Sequence, residues 1–265
     1  MRGDHVFIVR AGEVIPEVIG PIIEVRDGSE EPISTPTHCP SCGTLLTKDI
    51  GKVALYCPAR SSCGAQTSGA LKCFAGKHGA NILTLGDKII DLLIEKGFLT
   101  DFVSIYHLDQ YSHSILQMEG FKEKKLENIL SSIEASRNIP LASFFVALGI
   151  PQVGRKTGKL LAKCVGEKIK DMNPEEIGNI LFHLTYEELE AIHDIGPATA
   201  GSIVYYFEEN REMITKLLLE VHPTITREKL SQLKEMSLFG KSFCVTGSFD
   251  DISRDEIHTM IEQNG

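Results

Sequence analysis

No stretch of this 265-residue chain approaches 18 consecutive apolar residues, so no membrane-spanning helix is expected and no membrane partner. The opening residues, Met1-Arg2-Gly3-Asp4-His5, lack the apolar stretch and cleavage site of a secretory signal. Cationic side chains are also short: 27 lysines and arginines stand against 36 carboxylates, a net charge of −9. As a whole, that balance argues against a polyanionic partner. Cysteine is odd in number, seven in all, and Cys73, Cys164 and Cys244 stand apart as ordinary small core or surface residues. With no leader and unpaired thiols, the expected compartment is a reducing cytosol, where paired Cys-x-x-Cys usually means metal. What remains, 42% hydrophobic residues and a mean hydropathy of −0.02, describes a soluble globular chain of about one to three domains.

The other four cysteines, Cys39, Cys42, Cys57 and Cys63, have the spacing C-x2-C-x14-C-x5-C. Two thiolate pairs joined by a short loop can close a tetrahedron around one zinc ion. Turn residues accompany each pair: Pro40, Ser41 and Gly43 at the first, Pro58 and Gly64 at the second. The apolar content between them is roughly Leu45, Leu46, Val53, Leu55 and Tyr56. A module of about 30 residues cannot bury enough surface to fold alone, so one structural zinc per chain would supply much of its stability. Two disulfides or four unrelated buried cysteines are the alternatives.

Charge is unevenly distributed. Net charge is −4 over residues 1–35, +4 over 36–79, +2 over 80–170 and −11 over 171–265. The basic character therefore sits on the cysteine module and the segment after it. Local potential within a Debye length of about 8 Å, rather than total charge, decides attraction to phosphate.

His5–Val9 and Val18–Val25 are rich in β-branched residues and read as strands, followed by a polar, turn-rich linker, Asp27-Gly28-Ser29-Glu30-Glu31-Pro32. Two strands alone do not make a stable domain. From residue 72 the apolar periodicity becomes helical. It is clearest at Ile89-Ile90-x-x-Leu93-Ile94 and at Leu126, Ile129, Leu130 and Ile133. Further helices are expected over Phe144–Leu148, Gly158–Cys164, Pro174–Leu181, Thr185–Ile192, Thr199–Glu209, Arg211–Leu219 and Thr226–Met236. Asn173-Pro174 and Thr185-x-x-Glu188 are helix-start signals. Ser242–Thr246 reads as a short strand and Arg254–Gln263 as a helix, a βα unit too small for a domain. Both ends of the chain are therefore expected to fall inside larger domains. The fold class is mainly α, with a small cysteine module, preceded by strands and followed by an incomplete α/β unit.

Within the helical region one local pattern recurs four times. It appears at Thr84-Leu85-Gly86-Asp87-Lys88, Gly120-Phe121-Lys122-Glu123-Lys124, Gln152-Val153-Gly154-Arg155-Lys156 and Asp194-Ile195-Gly196-Pro197-Ala198. Each has an apolar residue, then glycine (Lys122 in the second), then a helix start. Repetition at this period means one supersecondary unit used several times, here helix–hairpin–helix. Glycine permits positive φ and close approach of another backbone. The helix that follows offers unpaired N–H groups and a positive dipole end, which bind phosphate without base specificity. Lys88, Lys124 and Lys156 lie in the first helical turn, where the dipole disfavours a cation by about 0.3–1 kcal/mol and a bound anion would offset that. The competing reading is four helix–helix turns with glycine caps. With Lys122 replacing the second glycine, the second hairpin is expected to be the least regular.

A four-cysteine module, four hairpins and a βα unit, in that order, resemble the C-terminal half of bacterial NAD-dependent DNA ligase. Arg10-Ala11-Gly12-Glu13-Val14-Ile15-Pro16 is similar to the end of that family's OB-fold domain. Ala147-Leu148-Gly149-Ile150-x-x-Val153-Gly154 is similar to its third hairpin, and Phe239-Gly240-Lys241 through Val245-Thr246-Gly247, with Arg254, to the start of its BRCT domain. The resemblance implies an OB-fold end at residues 1–35, a zinc finger at 36–71 and a helix-hairpin-helix domain at 72–225. A linker helix at 226–236 and a truncated BRCT domain at 237–265 would follow. It implies a bacterial cytosolic, nucleoid-associated protein that seals 5′-phosphate/3′-hydroxyl nicks in duplex DNA during replication and repair. The family's nucleophile, a Lys-x-Asp-Gly motif, does not occur in this sequence. No catalytic residue is therefore expected here, and NAD and Mg²⁺ would act only through an N-terminal adenylation half, the implied protein partner. This chain would clamp DNA through Gly86, Lys88, Gly120, Lys122, Lys124, Gly154, Arg155, Lys156, Thr157, Gly196 and Thr199, with Arg10 contacting DNA near the nick. The alternative is a non-catalytic DNA-structure-binding module of a repair complex.

Overall fold

The computed structural model describes residues 1–11, 15–48, 54–59, 62–225, 238, 241–247, 252, 256–257, 260–261 and 264. They fall into two compact units, Met1–Thr67 and Ser68–Gly265.

The first unit opens with an antiparallel ribbon of β1 (Val6–Ala11) and β2 (Ile15–Pro21). A bulge after Phe7 leaves Ile19 without a partner in register. The second strand starts and ends earlier than the expected Val18–Val25. Register pairing ends at Val6–Pro21, the Ile22 N–H adds one bond to the His5 carbonyl at 2.8 Å, and the chain then turns away into a 3-10 turn at Ile23–Val25. Arg26 then donates two hydrogen bonds to the Asp4 carboxylate, at 2.6 and 2.8 Å. The Arg26 guanidinium is the main cause holding the Asp4 carboxyl well below the usual carboxylate range. Beyond the ribbon, isolated bridges pair His38 with Leu45 and Thr47 with Tyr56, bringing the two cysteine pairs together.

The second unit is helical. In chain order it contains the end of α1 (Gly64–Ala75), then α2 (Asp87–Glu95), α3 (Phe102–Ile105), α4 (Ser112–Leu116) and α5 (Glu123–Ser136). After these come α6 (Leu141–Ala147), α7 (Arg155–Lys168), α8 (Pro174–Phe182), α9 (Tyr186–Glu190), α10 (Pro197–Glu209) and α11 (Arg211–Glu220). Apolar residues at helical spacing bury one face of each longer helix: Ile90 and Leu93 on α2; Leu126, Ile129 and Ile133 on α5; Leu161 and Val165 on α7. These faces meet in one core around Phe144, Phe145 and Phe207, all essentially solvent-free. Gly158 allows α6 and α7 to approach closely, since a Cβ there would lie 2.8 Å from the Ala142 carbonyl oxygen. Arg137 ties the end of α5 to that of α11, donating to the Glu220 carbonyl and carboxylate at 2.8 and 2.9 Å.

The helix expected at Thr226–Met236 lies outside the described residues. Ser242–Thr246 is not a strand. A strand needs a ladder partner, and among the described residues the only sheet is β1–β2. Of the helix expected at Arg254–Gln263, Glu256, Ile257, Met260 and Ile261 are helical and the other positions lie outside the described residues.

Candidate functional site: a four-cysteine centre and four hairpins

In the first unit, the Sγ atoms of Cys39, Cys42, Cys57 and Cys63 all lie within 4.8 Å of one another. Cys39 and Cys63 are 3.9 Å apart at sulfur, and Cys42 and Cys57 3.5 Å. Zinc bonded tetrahedrally to four sulfurs at about 2.3 Å sets them about 3.8 Å apart, so the donor set fits the metal. The first pair sits on a tight knuckle. The Gly43 N–H donates to the Cys39 carbonyl at 2.9 Å, with Gly43 in the left-handed region at φ +72°. Cys63 immediately precedes α1, and its carbonyl accepts from the Gln66 and Thr67 N–H groups. The Ser41 hydroxyl accepts from the Ala65 N–H at 3.3 Å. Negative charge on a ligated Cys63 sulfur therefore lies at the positive end of a helix. The Thr44 hydroxyl, 3.2 Å from the Cys42 sulfur, leads the interactions that hold the Cys42 thiol down to about 6. The Ala59 backbone lowers Cys57, but burial and the sulfurs of Cys42 and Cys39 together push it up to about 12. Four thiols this close cannot all ionise without a cation among them, and zinc removes that conflict. With four thiolates bound, no coordination position is left for substrate.

The four hairpins in the second unit share one backbone design. Their middle residues Leu85, Phe121, Val153 and Ile195 are buried. The N–H groups of these residues donate to the carbonyls three back, of Ile82, Met118, Ile150 and Ile192, at 2.9–3.1 Å. The next residues, Gly86, Lys122, Gly154 and Gly196, are the N-caps of α2, α5, α7 and α10. All four N-caps are extended, and none receives a side-chain capping bond. Asp101, Asn173 and Thr185 cap α3, α8 and α9 with their own side chains, while α4, α6 and α11 also start without such a bond.

Positive φ occurs two residues before the capping residue, at the first hairpin residue: Gly120 at +79°, Gln152 at +68° and Asp194 at +72°. Gly86, Gly154 and Gly196 have ordinary φ, and a Cβ at each would meet nothing within 4 Å. Their lack of a side chain therefore serves neither the backbone nor internal packing, and keeps the helix start clear.

Contrary to the sequence expectation, the second hairpin is regular and the first departs. An extended third position accepts Lys122, whereas β-branched Thr84 does not take the left-handed conformation. Asn81 is left-handed instead, at φ +57°, and the Thr84 hydroxyl donates to the Asn128 carbonyl at 3.4 Å.

The basic residues singled out from the sequence are exposed at these helix starts. Lys124 pairs with Glu127 at 3.3 Å and Lys156 with Asp194 at 2.9 Å. Among the described residues Lys88 and Lys122 make no ion pair. Thr157 is half-buried in the first turn of α7, and the Thr199 hydroxyl donates to Gln152 at 3.1 Å. Arg10 is exposed on β1 opposite Pro16, in the other unit, and Gly12-Glu13-Val14 after it lie outside the described residues. Gln152 and Asp194 belong to the hairpin surface but were not marked as site residues by sequence. Their side chains meet residues far along the chain, and no local signal announces that. No described helix is long and apolar enough to cross a membrane.

Residues 38–65 match the family model described as the NAD-dependent DNA ligase C4 zinc finger domain. Residues 143–214, which hold the third and fourth hairpins, match the helix-hairpin-helix motif. The chain resembles the zinc-finger and helix-hairpin-helix portion of NAD-dependent DNA ligases. The four cysteines are accordingly the ligands of that finger's structural zinc. The DNA ligase of Roseiflexus sp. strain RS-1 is 34% identical over 99% of this chain and 35% of its own length. The DNA ligase of Chloroflexus aggregans is 35% identical over 99% of the chain and 37% of its own length. For the DNA ligase of Sulfurovum sp. strain NBC37-1 the values are 35%, 99% and 38%. The chain thus spans a little over a third of the length of these ligases.

Proposed function

We propose that this chain is the DNA-clamping portion of an NAD-dependent DNA ligase acting on nicked duplex DNA in the bacterial cytosol. The observation that carries the reading is the repeated hairpin: a buried middle residue, an extended N-cap that is glycine in three of the four, and a helix start without a side-chain cap. The N–H groups at such a helix start, with the dipole behind them, are complementary to a phosphate. Four of them grip the backbone by shape and do not read base sequence. The proposed division is an OB-fold end at 1–35, a zinc finger at 36–71, the hairpin domain at 72–225, a linker at 226–236 and a BRCT segment at 237–265. The hairpin set beginning at Gly86 and ending at Thr199 is the proposed DNA surface, with Arg10 a separate contact near the nick. The chain holds no Lys-x-Asp-Gly. In this reading a lysine of the N-terminal adenylation half takes AMP from NAD and passes it to the 5′-phosphate, from which the 3′-hydroxyl then displaces it. This chain holds the duplex throughout.

The test combines the purified zinc-loaded chain with nicked duplex, NAD, Mg²⁺ and a separately produced N-terminal half of a related ligase. Sealing that requires this chain is the expected result. Tight nick binding without sealing under any such complementation favours a non-catalytic DNA-binding module. Affinity should also fall about a thousandfold between 50 and 200 mM salt if roughly six phosphates are contacted, and an affinity indifferent to salt overturns the phosphate clamp.

A further inference from the structure

The third and fourth hairpins touch through two reciprocal side-chain contacts. Gln152, the first residue of the third, accepts from the Thr199 hydroxyl in the first turn of the helix leaving the fourth, at 3.1 Å. Asp194, the first residue of the fourth, pairs with Lys156 in the first turn of the helix leaving the third, at 2.9 Å. Both first residues sit at positive φ, and each side chain meets the neighbouring helix start: an amide oxygen from Gln152, a carboxylate from Asp194. The Asp194 carboxylate also lies 3.1 Å from the His193 ring. Lys156 is 76% exposed and Asp194 40%, so the pair is solvent-facing, and such pairs are weak and exchangeable in water. The other first-turn lysines differ. Lys124 pairs within its own helix, and Lys88 makes no ion pair among the described residues.

We propose that Asp194 competes with DNA for Lys156. Its carboxylate occupies the lysine in the free protein and gives way when a backbone phosphate reaches the third hairpin, so that the grip is weaker and more readily released than an unpaired lysine would give. This rests on the phosphate-clamp reading above. Lys156 satisfies the first-turn requirement for an anion internally, and a phosphate must supply a better one.

The test measures binding of the full zinc-loaded chain to a short nicked duplex of mixed sequence across a salt series. The proteins are the unaltered chain, Asp194→Asn, Lys156→Ala and the double variant. Asparagine tolerates the left-handed backbone. Asp194→Gly, which suits it better still, is carried in parallel in case the asparagine variant folds poorly by circular dichroism. Freeing one cation about 4 Å from a phosphate is worth about a fivefold gain in affinity, and the salt slope should steepen by about one. In the Lys156→Ala background the gain should largely vanish. An equal gain in both backgrounds makes Asp194 a merely repulsive charge, and weaker binding makes it structural; either result overturns the competition. If no protein in the set binds DNA in a salt-dependent way, the clamp reading falls and the competition with it.

Discussion

In the first unit Phe7, Ile15 and Val18 keep 57%, 70% and 59% of their surface in solvent, while in the second Phe144, Phe145 and Phe207 keep 1% or less. Among the described residues before Ser68, the buried apolar side chains are two cysteines, Cys39 and Cys63. A two-stranded ribbon is marginal in water, and none of the described residues of its own unit buries its apolar side chains. Order in the first unit must therefore come from bonds with direction: thiolate to metal, the Asp4–Arg26 pair, and backbone bridges such as Thr47–Tyr56. The second unit draws on area removed from water, at roughly 25 cal/mol per Å². The same chain thus contains a region whose fold depends on an ion and a region whose fold depends on packing.

Metal removal should break this comparison most visibly. Structural zinc contributes on the order of 10–16 kcal/mol to small finger peptides. Chelation, or Cys63→Ser, should abolish zinc binding and deprotect the amides of Cys39, Gly43 and Leu46 to hydrogen exchange. The far-UV helical signal of the second unit should persist. Collapse of that signal together with the zinc would mean the two kinds of order are not separable. The converse change is Phe145→Ala, which empties a site packed against Phe144 and Phe207. It should cost about 3–5 kcal/mol in denaturant unfolding of the helical unit and leave zinc stoichiometry at one per chain.

How far each feature could be read from sequence follows its range along the chain. The cysteine spacing is local and chemically restrictive, so the ligand set was legible without coordinates. The hairpins were legible as a repeat because a buried middle residue and a helix start recur in order. Their irregularity is not legible in the same way. Lys122 looked like the defect, but its position is extended and tolerant, while Thr84 occupies the position that demands left-handed backbone in the other three. The second strand was misplaced because β-branched residues continue past Pro21, where the ladder stops. The Lys156–Asp194 and Gln152–Thr199 contacts were invisible, since they depend on how α6–α7 and α9–α10 pack rather than on neighbouring residues.

Inside the second unit a smaller version of the contrast exists, between helix starts closed by the protein and helix starts left clear. Thr185 closes α9 with a capping box, its hydroxyl accepting from the Glu188 N–H and the Glu188 carboxylate accepting from the Thr185 N–H, both at 3.2 Å. Thr185→Ala should cost about 1 kcal/mol with DNA affinity unchanged. Lys168 first, then the Thr185 N–H, lower the Glu188 carboxyl below its ordinary value. A depressed native value means this contribution is complete above the unfolded value of about 4.3 and fades as pH falls beneath it. Acid titration of a Glu188→Gln variant, which has no carboxylate to protonate, should accordingly show a shallower loss of stability than the unaltered protein, and parallel curves would remove this carboxylate from the account.

The smallest effect on folding should come with a clear effect on binding. Gly154 is extended, uncapped and has nothing within 4 Å of a notional Cβ. Serine is at least as good an N-cap as glycine, so Gly154→Ser should change unfolding free energy by no more than a few tenths of a kcal/mol, in the stabilising direction. The new hydroxyl turns inward to the first-turn N–H groups of α7, which are the groups a phosphate would need, and its Cβ stands in the path of approach. DNA affinity should therefore fall while stability holds or rises. Gly178→Ser, in the middle of α8 rather than at a helix start, is the control, expected to lower stability without weakening binding by the folded protein. If Gly154→Ser binds as well as the unaltered chain, the cleared helix starts are an accident of turn geometry, and the contrast between capped and uncapped helices loses its functional meaning.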